Sequence, residues 1–363
     1  MLSSLQRFNS LVRDILEMHT WELPLKILHV TECLNAGVLT AIESVIRANP
    51  QHEHSLLWSS HSDSPEPSKD QILLVSQNAL KWNGNLVEKF FQLRKVIRTT
   101  EPGLVHYHSS IAGFLGRLFN QRSLTWYSPH CFSFQRLDIS TSKRMLFLLA
   151  ERILSVRTGV FVAHWPVEIK LMKKLNPRVS IAFIPIVDFQ TCKSQTELTN
   201  TSRIRIICVG RFRPQKDPYM FIGIAQRLKN TNLDFTWVGS LTDEDSSLLD
   251  SLGIQYFQWL DSEQLAQIYA ESWLTLVTSS WESGPLTFYE SISKGTPVLV
   301  RDIEALEWLN VTKFKTIDEA CVQIQNMLND DNIRRVLFNL EIEQTHHIFS
   351  SFTQTFPSYP LSD

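Results

Sequence analysis

The chain is poor in the residues that announce the commonest kinds of site. Its five cysteines, Cys33, Cys131, Cys192, Cys208 and Cys321, are odd in number and widely scattered, with no C-x-x-C pair. That argues against a disulfide framework and against a cysteine zinc site, and it suits a reducing cytoplasm. None of its 12 glycines falls in a G-x-G-x-x-G fingerprint, and neither H-E-x-x-H nor G-x-S-x-G occurs. A dinucleotide oxidoreductase and the commonest hydrolases are therefore disfavoured. No apolar run reaches the ~18 residues of a membrane span, and no signal peptide is expected at the start. The formal net charge of −2 provides no basic field for nucleic acid.

What is present is a globular composition, 43% hydrophobic and 20% charged, over 363 residues, enough for two domains. Leu2, Leu5, Phe8, Leu11, Val12, Ile15 and Leu16 mark one helix face, so residues 1–22 are expected to form an amphipathic helix docked on the protein. From 23 to 188, strand candidates such as "LKILHVTEC", "HSLLWSS", "QILLVS", "LVHYHSS" and "GVFVAH" alternate with helical runs. A polar stretch, 189–202, reads as a linker. A second strand–helix series fills 203–336, and 337–363 forms a helix and tail returning to the N-terminal domain. The alternation predicts an α/β fold of two doubly wound parallel-sheet domains facing a central cleft.

Two strand-to-helix turns in the second series carry candidate chemistry. The strand "IRIICVG" runs into "RFRPQKDP", where Asp217-Pro218 reads as a helix start and places Arg211 and Lys216 just ahead of it. Cations beside free helix amides suit a diphosphate, although a solvated basic loop would look the same. About 70 residues on, "SSWESGPLTFYESISKGTPVL" follows another strand. Glu282 lies before the helix and Glu290 inside it, with Gly284, Pro285, Leu286 and Thr287 between them. Carboxylates accept from hydroxyls, so the pair could grip sugar-like groups on either side of a phosphate, or be surface charge.

Together these stretches resemble the donor-site motifs of the retaining glycosyltransferases of family 4, which have the GT-B fold. "KILHVTECLNAGV", "VHYHSSIAGFLGRLF" and "WYSPHCFSF" are similar to the family's N-terminal markers, so the likeness spans roughly residues 25–310. The resemblance implies that Arg211 and Lys216 neutralise the diphosphate of a UDP- or GDP-sugar. It assigns Glu290 to the ribose, Glu282 to the transferred sugar, and the amides around Gly284–Thr287, with the Thr287 hydroxyl, to sugar and phosphate. Gly37 would lie against the diphosphate from the other domain, and His130 near the sugar at the reaction centre. The chain departs from the family at Asn35-Ala36-Gly37, where a Gly-Gly pair is usual, at Cys131, where glycine follows the histidine, and at Gln258.

The reaction so implied needs no metal and no cofactor beyond the nucleotide sugar. The acceptor would be a glycan or a polyprenyl-diphosphate-linked glycan of capsule, exopolysaccharide or O-antigen type. His106 and His108 alternate on one strand and face one side, lining the cleft rather than holding metal. The basic helices "LVEKFFQLRKVIR" and "PVEIKLMKKLNPR" read as packed helices with solvated edges, or as attachment to an anionic inner-membrane surface. The protein is expected to be cytoplasmic, with peripheral contact at most. A sugar-nucleotide epimerase on the same fold and a non-catalytic sugar-nucleotide-binding partner are the alternatives.

Overall fold

The computed structural model describes residues 24–34, 36–60, 66–118, 124–186 and 204–355. The expected helix over 1–22, the linker 189–202 and the last eight residues lie outside this set. In the N-terminal half the elements run β1 (Lys26–Thr31), α1 (Ala36–Ala48), β2 (Glu53–Trp58), α2 (Lys69–Val75), β3 (Asn78–Lys81), α3 (Leu86–Thr100) and β4 (Leu104–His108). They continue as α4 (Ser110–Arg117), β5 (Leu124–Ser128), α5 (Thr141–Leu154), β6 (Val160–Ala163), α6 (Pro166–Leu175) and β7 (Ser180–Phe183). The seven strands form one parallel sheet, ordered β3-β2-β1-β4-β5-β6-β7. Helical crossovers are what a parallel ladder requires, and burial on both faces explains the near-continuous apolar strands.

One expectation fails locally. "QILLVS" is not a strand: Gln71–Val75 belong to α2, and the strand comes later, at Asn78–Lys81. Ser68 accepts from the Gln71 amide at 3.2 Å while the Gln71 side chain accepts from the Ser68 amide at 2.9 Å. That reciprocal cap satisfies two first-turn donors and tips a short apolar run toward helix.

The C-terminal sheet is also parallel, ordered β10-β9-β8-β11-β12. Its strands are β8 (Ile204–Val209), β9 (Leu233–Val238), β10 (Gln255–Phe257), β11 (Leu274–Val277) and β12 (Val298–Val300). The helices between them are α7 (Pro218–Arg227), α8 (Asp243–Ser251), α9 (Ser262–Ala270) and α10 (Leu286–Ser293). Strand order reverses between β1 and β4 in one sheet and between β8 and β11 in the other. Open α/β sheets bind ligands at such reversals, beyond the carboxyl ends of the strands.

After β12 come α11 (Ile317–Asn329) and the long α12 (Asp331–Thr355), so residue 337 falls inside a helix that starts at Asp331. On α12, buried Glu341 accepts the Val298 amide at 3.1–3.2 Å. Further along, Phe349 packs on Phe183 and Trp165 from one domain and on Tyr289 and Trp308 from the other. One hydrophobic cluster consequently runs from Leu28 and Val105 through Trp165 to Phe288 and Ile292, continuous across the two sheets. In the N-terminal domain, buried Arg117 pairs with Glu151 at 2.9 Å and lies 3.8 Å over the Tyr127 ring, whose hydroxyl donates to the same carboxylate at 2.8 Å. This triad fastens α4 to α5 with its polar atoms satisfied.

Candidate active site

At the end of β8 the chain turns at Gly210, φ 149°. A Cβ there would come within 2.7 Å of Lys216 Cε, so the lysine stem lies directly across the glycine. Asp217 takes a left-handed φ of 46°, which aspartate tolerates, and caps α7 by accepting the Met220 amide at 3.2 Å. Its other oxygen accepts from Arg301 at 2.6 Å and from the Ser280 hydroxyl at 3.2 Å. The Ser280 amide donates to the Gln215 carbonyl at 2.8 Å, and the Thr278 hydroxyl to the Lys216 carbonyl at 2.6 Å. The loops after β8 and β11 are thereby joined into one unit.

That unit aims Lys216 at Glu282. Nζ lies 2.7 Å from Oε1, which also accepts from the Ser279 hydroxyl at 2.9 Å, while Gln215 donates to Oε2 at 3.1 Å. Glu282 is buried, and these three donors offset its desolvation. Glu290 sits on α10, accepting from the Tyr269 hydroxyl at 2.9 Å. Burial pushes its carboxyl up, opposed by that hydrogen bond and by the charges of Lys216 and Lys294. Lys216 thus acts on both glutamates. Pro285 stands at the N-cap of α10 with no side chain capping the helix, so the Leu286 and Thr287 amides face outward. Arg211 follows Gly210 directly on the same loop and is part-buried.

The N-terminal domain closes one side. Gly37 lies in the first turn of α1. Glu32, just after β1, accepts from the Ala112 amide at 3.2 Å and from the Ser109 hydroxyl, so the start of α4 already holds a carboxylate. His130 follows β5 at a left-handed φ of 55°, and Cys131, at φ 159°, is close to extended backbone and accommodates its side chain. Gln135 reaches across to the Glu282 carbonyl at 3.4 Å. Trp165 stacks on Tyr289 at 4.7 Å and covers Gly284, where a Cβ would meet the indole at 1.9 Å. Gly284 is therefore needed for domain contact, whatever its amide does. Beside it the Ser283 hydroxyl donates to Glu168 at 2.6 Å. Burial pushes the Glu168 carboxyl up to about 7, although it accepts the His164 and Trp165 amides.

Behind His130 lies a layer of imidazoles. His29, His106, His108 and His164 are each no more than 1% exposed, and His54 and His130 are half-buried. His106 and His108 do share a face, and His29 lies in register with His106 on the next strand. Among the described residues, His29, His106 and His108 each place a ring nitrogen within 4.8 Å of the others, a spacing that would admit a metal ion. Gln215, Ser279, Tyr269 and the Asp217–Arg301 pair were not singled out by the sequence. They carry no motif of their own and become visible only once β8 and β11 are neighbours.

Residues 190–316 match the model of the glycosyl transferases group 1 family. A protein of Klebsiella pneumoniae described as an uncharacterized 41.2 kDa protein in the cps region is 24% identical over 302 residues, covering 78% of this chain and 82% of that one. Sucrose-phosphate synthase of Thermosynechococcus elongatus superposes with a TM-score of 0.71 at 13% identity, covering 91% of this chain and 97% of the other. Anabaena HepE in complex with UDP and glucose gives 0.70 at 14% identity, over 92% and 95%. The fold is GT-B.

Proposed function

We propose that the protein is a retaining glycosyltransferase that moves a sugar from a nucleoside-diphosphate sugar to a hydroxyl of a glycan or polyprenyl-diphosphate-linked acceptor in surface polysaccharide synthesis. The observation that carries this is the Lys216–Glu282 pair with Glu290 beside it, at the strand-order reversal of the domain matched by the glycosyl transferases group 1 model. A UDP-sugar is the first donor to try, because HepE binds UDP and glucose on the same fold. The cps-region relative points to a capsule-type product.

Glu282 pairs with Lys216. An arriving diphosphate competes for that ammonium together with Arg211, and the carboxylate so released accepts from the sugar hydroxyls. Glu290 takes the ribose hydroxyls, and the Leu286 and Thr287 amides meet the phosphate end of the donor. Charge building on the leaving diphosphate is stabilised by cations already in place. The acceptor hydroxyl attacks from the face the diphosphate leaves, and a diphosphate oxygen takes its proton. Incubation of each nucleotide sugar with and without glycan acceptors tests this. Nucleoside diphosphate release that requires acceptor, with the anomeric configuration retained in the product, is expected. Conversion of the nucleotide sugar without acceptor would establish the epimerase instead.

Attachment to a membrane surface fits α5 better than the basic helix α6. The Lys170 end of α6 pairs with Glu307 of the other domain. On α5, by contrast, Met145, Leu146, Leu149 and Ile153 are 55–64% exposed beside exposed Lys143 and Arg152. An apolar stripe edged by cations is the pattern of a helix lying in an anionic interface. Binding to vesicles rich in phosphatidylglycerol is expected to persist in part at about 0.5 M salt, because the apolar contribution is not screened. The double substitution Leu146→Glu, Leu149→Glu should abolish it, and unchanged sedimentation with vesicles would refute this face.

A further inference from the structure

Four histidines from four different segments form one unbroken hydrogen-bonded chain. His54 Nε2 lies 3.0 Å from the Asn49 carbonyl, and His54 Nδ1 lies 3.0 Å from His29 Nε2. His29 Nδ1 lies 3.0 Å from His108 Nε2, and His108 Nδ1 lies 3.0 Å from His130 Nε2. A neutral imidazole has one N–H and one lone pair, so each ring can donate in one direction only. A carbonyl has no proton to give, and it therefore decides every tautomer in the chain. His54 must donate from Nε2 to Asn49 and accept at Nδ1. His29 must then donate from Nε2 and accept at Nδ1, and His108 likewise. His130 must donate from Nε2, which leaves its Nδ1 with a lone pair and no proton. Run the other way, the chain would set the bare His54 Nε2 against the carbonyl oxygen at 3.0 Å.

We propose that His54, His29 and His108 are positioning residues that fix His130 as the Nε2–H tautomer, so that the cleft meets an obligate hydrogen-bond acceptor at His130 Nδ1, suited to a hydroxyl of the sugar or of the acceptor. The hydroxyl ligand rests on the function proposed above; the tautomer does not. The four rings are neutral at neutral pH, because burial lowers the affinity of each for a second proton. Among the described residues no side-chain or backbone donor reaches His130 Nδ1, and the ring is only half-buried. The separate arm formed by His106, Ser128 and His164 ends on the Ile184 carbonyl and does not enter this chain. A metal at His29, His106 and His108 would take the His29 lone pair that now accepts from His108, and it would break the relay.

Long-range proton–nitrogen correlation on histidine-labelled protein reads each tautomer directly. The expected result is His130 protonated at Nε2 and bare at Nδ1. His54→Phe removes the link to the carbonyl, and His130 should then populate both tautomers. His54→Gln can still donate to Asn49 and accept from His29, and it should restore the single form. With a nucleotide sugar and acceptor, His54→Phe should lower kcat about tenfold, the effect of about one hydrogen bond, with KM for the donor unchanged. His54→Gln should recover it. A wild-type His130 carrying its proton on Nδ1, an unmoved tautomer in His54→Phe, or stoichiometric bound zinc would each overturn the relay. The expected tautomers in a protein that turns over no nucleotide sugar would leave the relay standing and refute the glycosyltransferase assignment instead.

Discussion

Lys216→Ala is expected to slow sugar transfer roughly 100- to 1,000-fold, the loss typical of one preorganised donor at a developing charge. The lysine is held in line by Gly210 beneath it and by the bond from the Thr278 hydroxyl to its carbonyl. Glu282→Ala should cost at least about tenfold by removing a charge-assisted acceptor of sugar hydroxyls. Neither change should unfold the protein. Glu282 keeps Gln215 and Ser279 when Lys216 is gone, and the loops remain tied by Asp217 and Arg301. Initial rates at saturating donor, with melting temperatures measured alongside, separate the two effects. A variant that folds and turns over at the wild-type rate would remove Lys216 from the donor site.

The second large effect is acid unfolding. Burial lowers the proton affinity of His29, His106 and His108 well below normal and that of His164 to about 4. In the unfolded chain the same groups titrate near 6.5, so below that pH the unfolded state binds more protons and stability falls. Each fully buried ring can contribute a slope of up to about 1.4 kcal/mol per pH unit, and the four together roughly 5. Glu168, pushed up to about 7, acts oppositely: it stabilises the fold at low pH and loses that contribution as pH rises from the ordinary carboxylate range. Glu290 and Glu341, also pushed up by burial, act in the same sense as Glu168. The four histidines less Glu168 leave a net loss of at most about 4 kcal/mol between pH 6 and 5, and the other two carboxylates reduce it further, against an ordinary folding free energy of 5–15 kcal/mol. Urea midpoints measured from pH 8 to 5 are expected to drop steeply below about 6, as far below the unfolded-state histidine pKa as the compensation by Glu168 allows. A flat profile would mean that the imidazoles are charged or open to water.

The sequence made one half of the site readable and left the other half closed. In a parallel α/β domain, strand-to-helix turns collect at one sheet end, so "GRFRPQKDP" and "WESGPLTFYE" could be placed together from order alone. Their partners could not. Gly284 under Trp165, and Ser283 on Glu168, join residues more than a hundred positions apart through an interface that no periodicity encodes. His106-x-His108 was visible as a pair on one face, but His29 and His54 join it only through the register of β1 with its two neighbours. "QILLVS" is helical although a short apolar run fits strand or helix equally, because Ser68 ahead of it and its own Gln71 form a reciprocal cap. The Lys216–Glu282 pair itself was unexpected. The resemblance assigns each residue to a different part of the donor, whereas in the structure they pair with one another.

Thermal unfolding in the presence of UDP-, GDP-, dTDP- and ADP-sugars tests the donor site most directly. A ligand at about 100 times its Kd adds roughly 2.7 kcal/mol, which for a chain of this size is a rise of roughly 3–4 °C. One nucleotide class is expected to give that rise, with UDP-sugars first, and Glu290→Ala and Lys216→Ala should each abolish most of it. No rise with any nucleotide sugar, or the same rise in both variants, would contradict the assignment of this cleft.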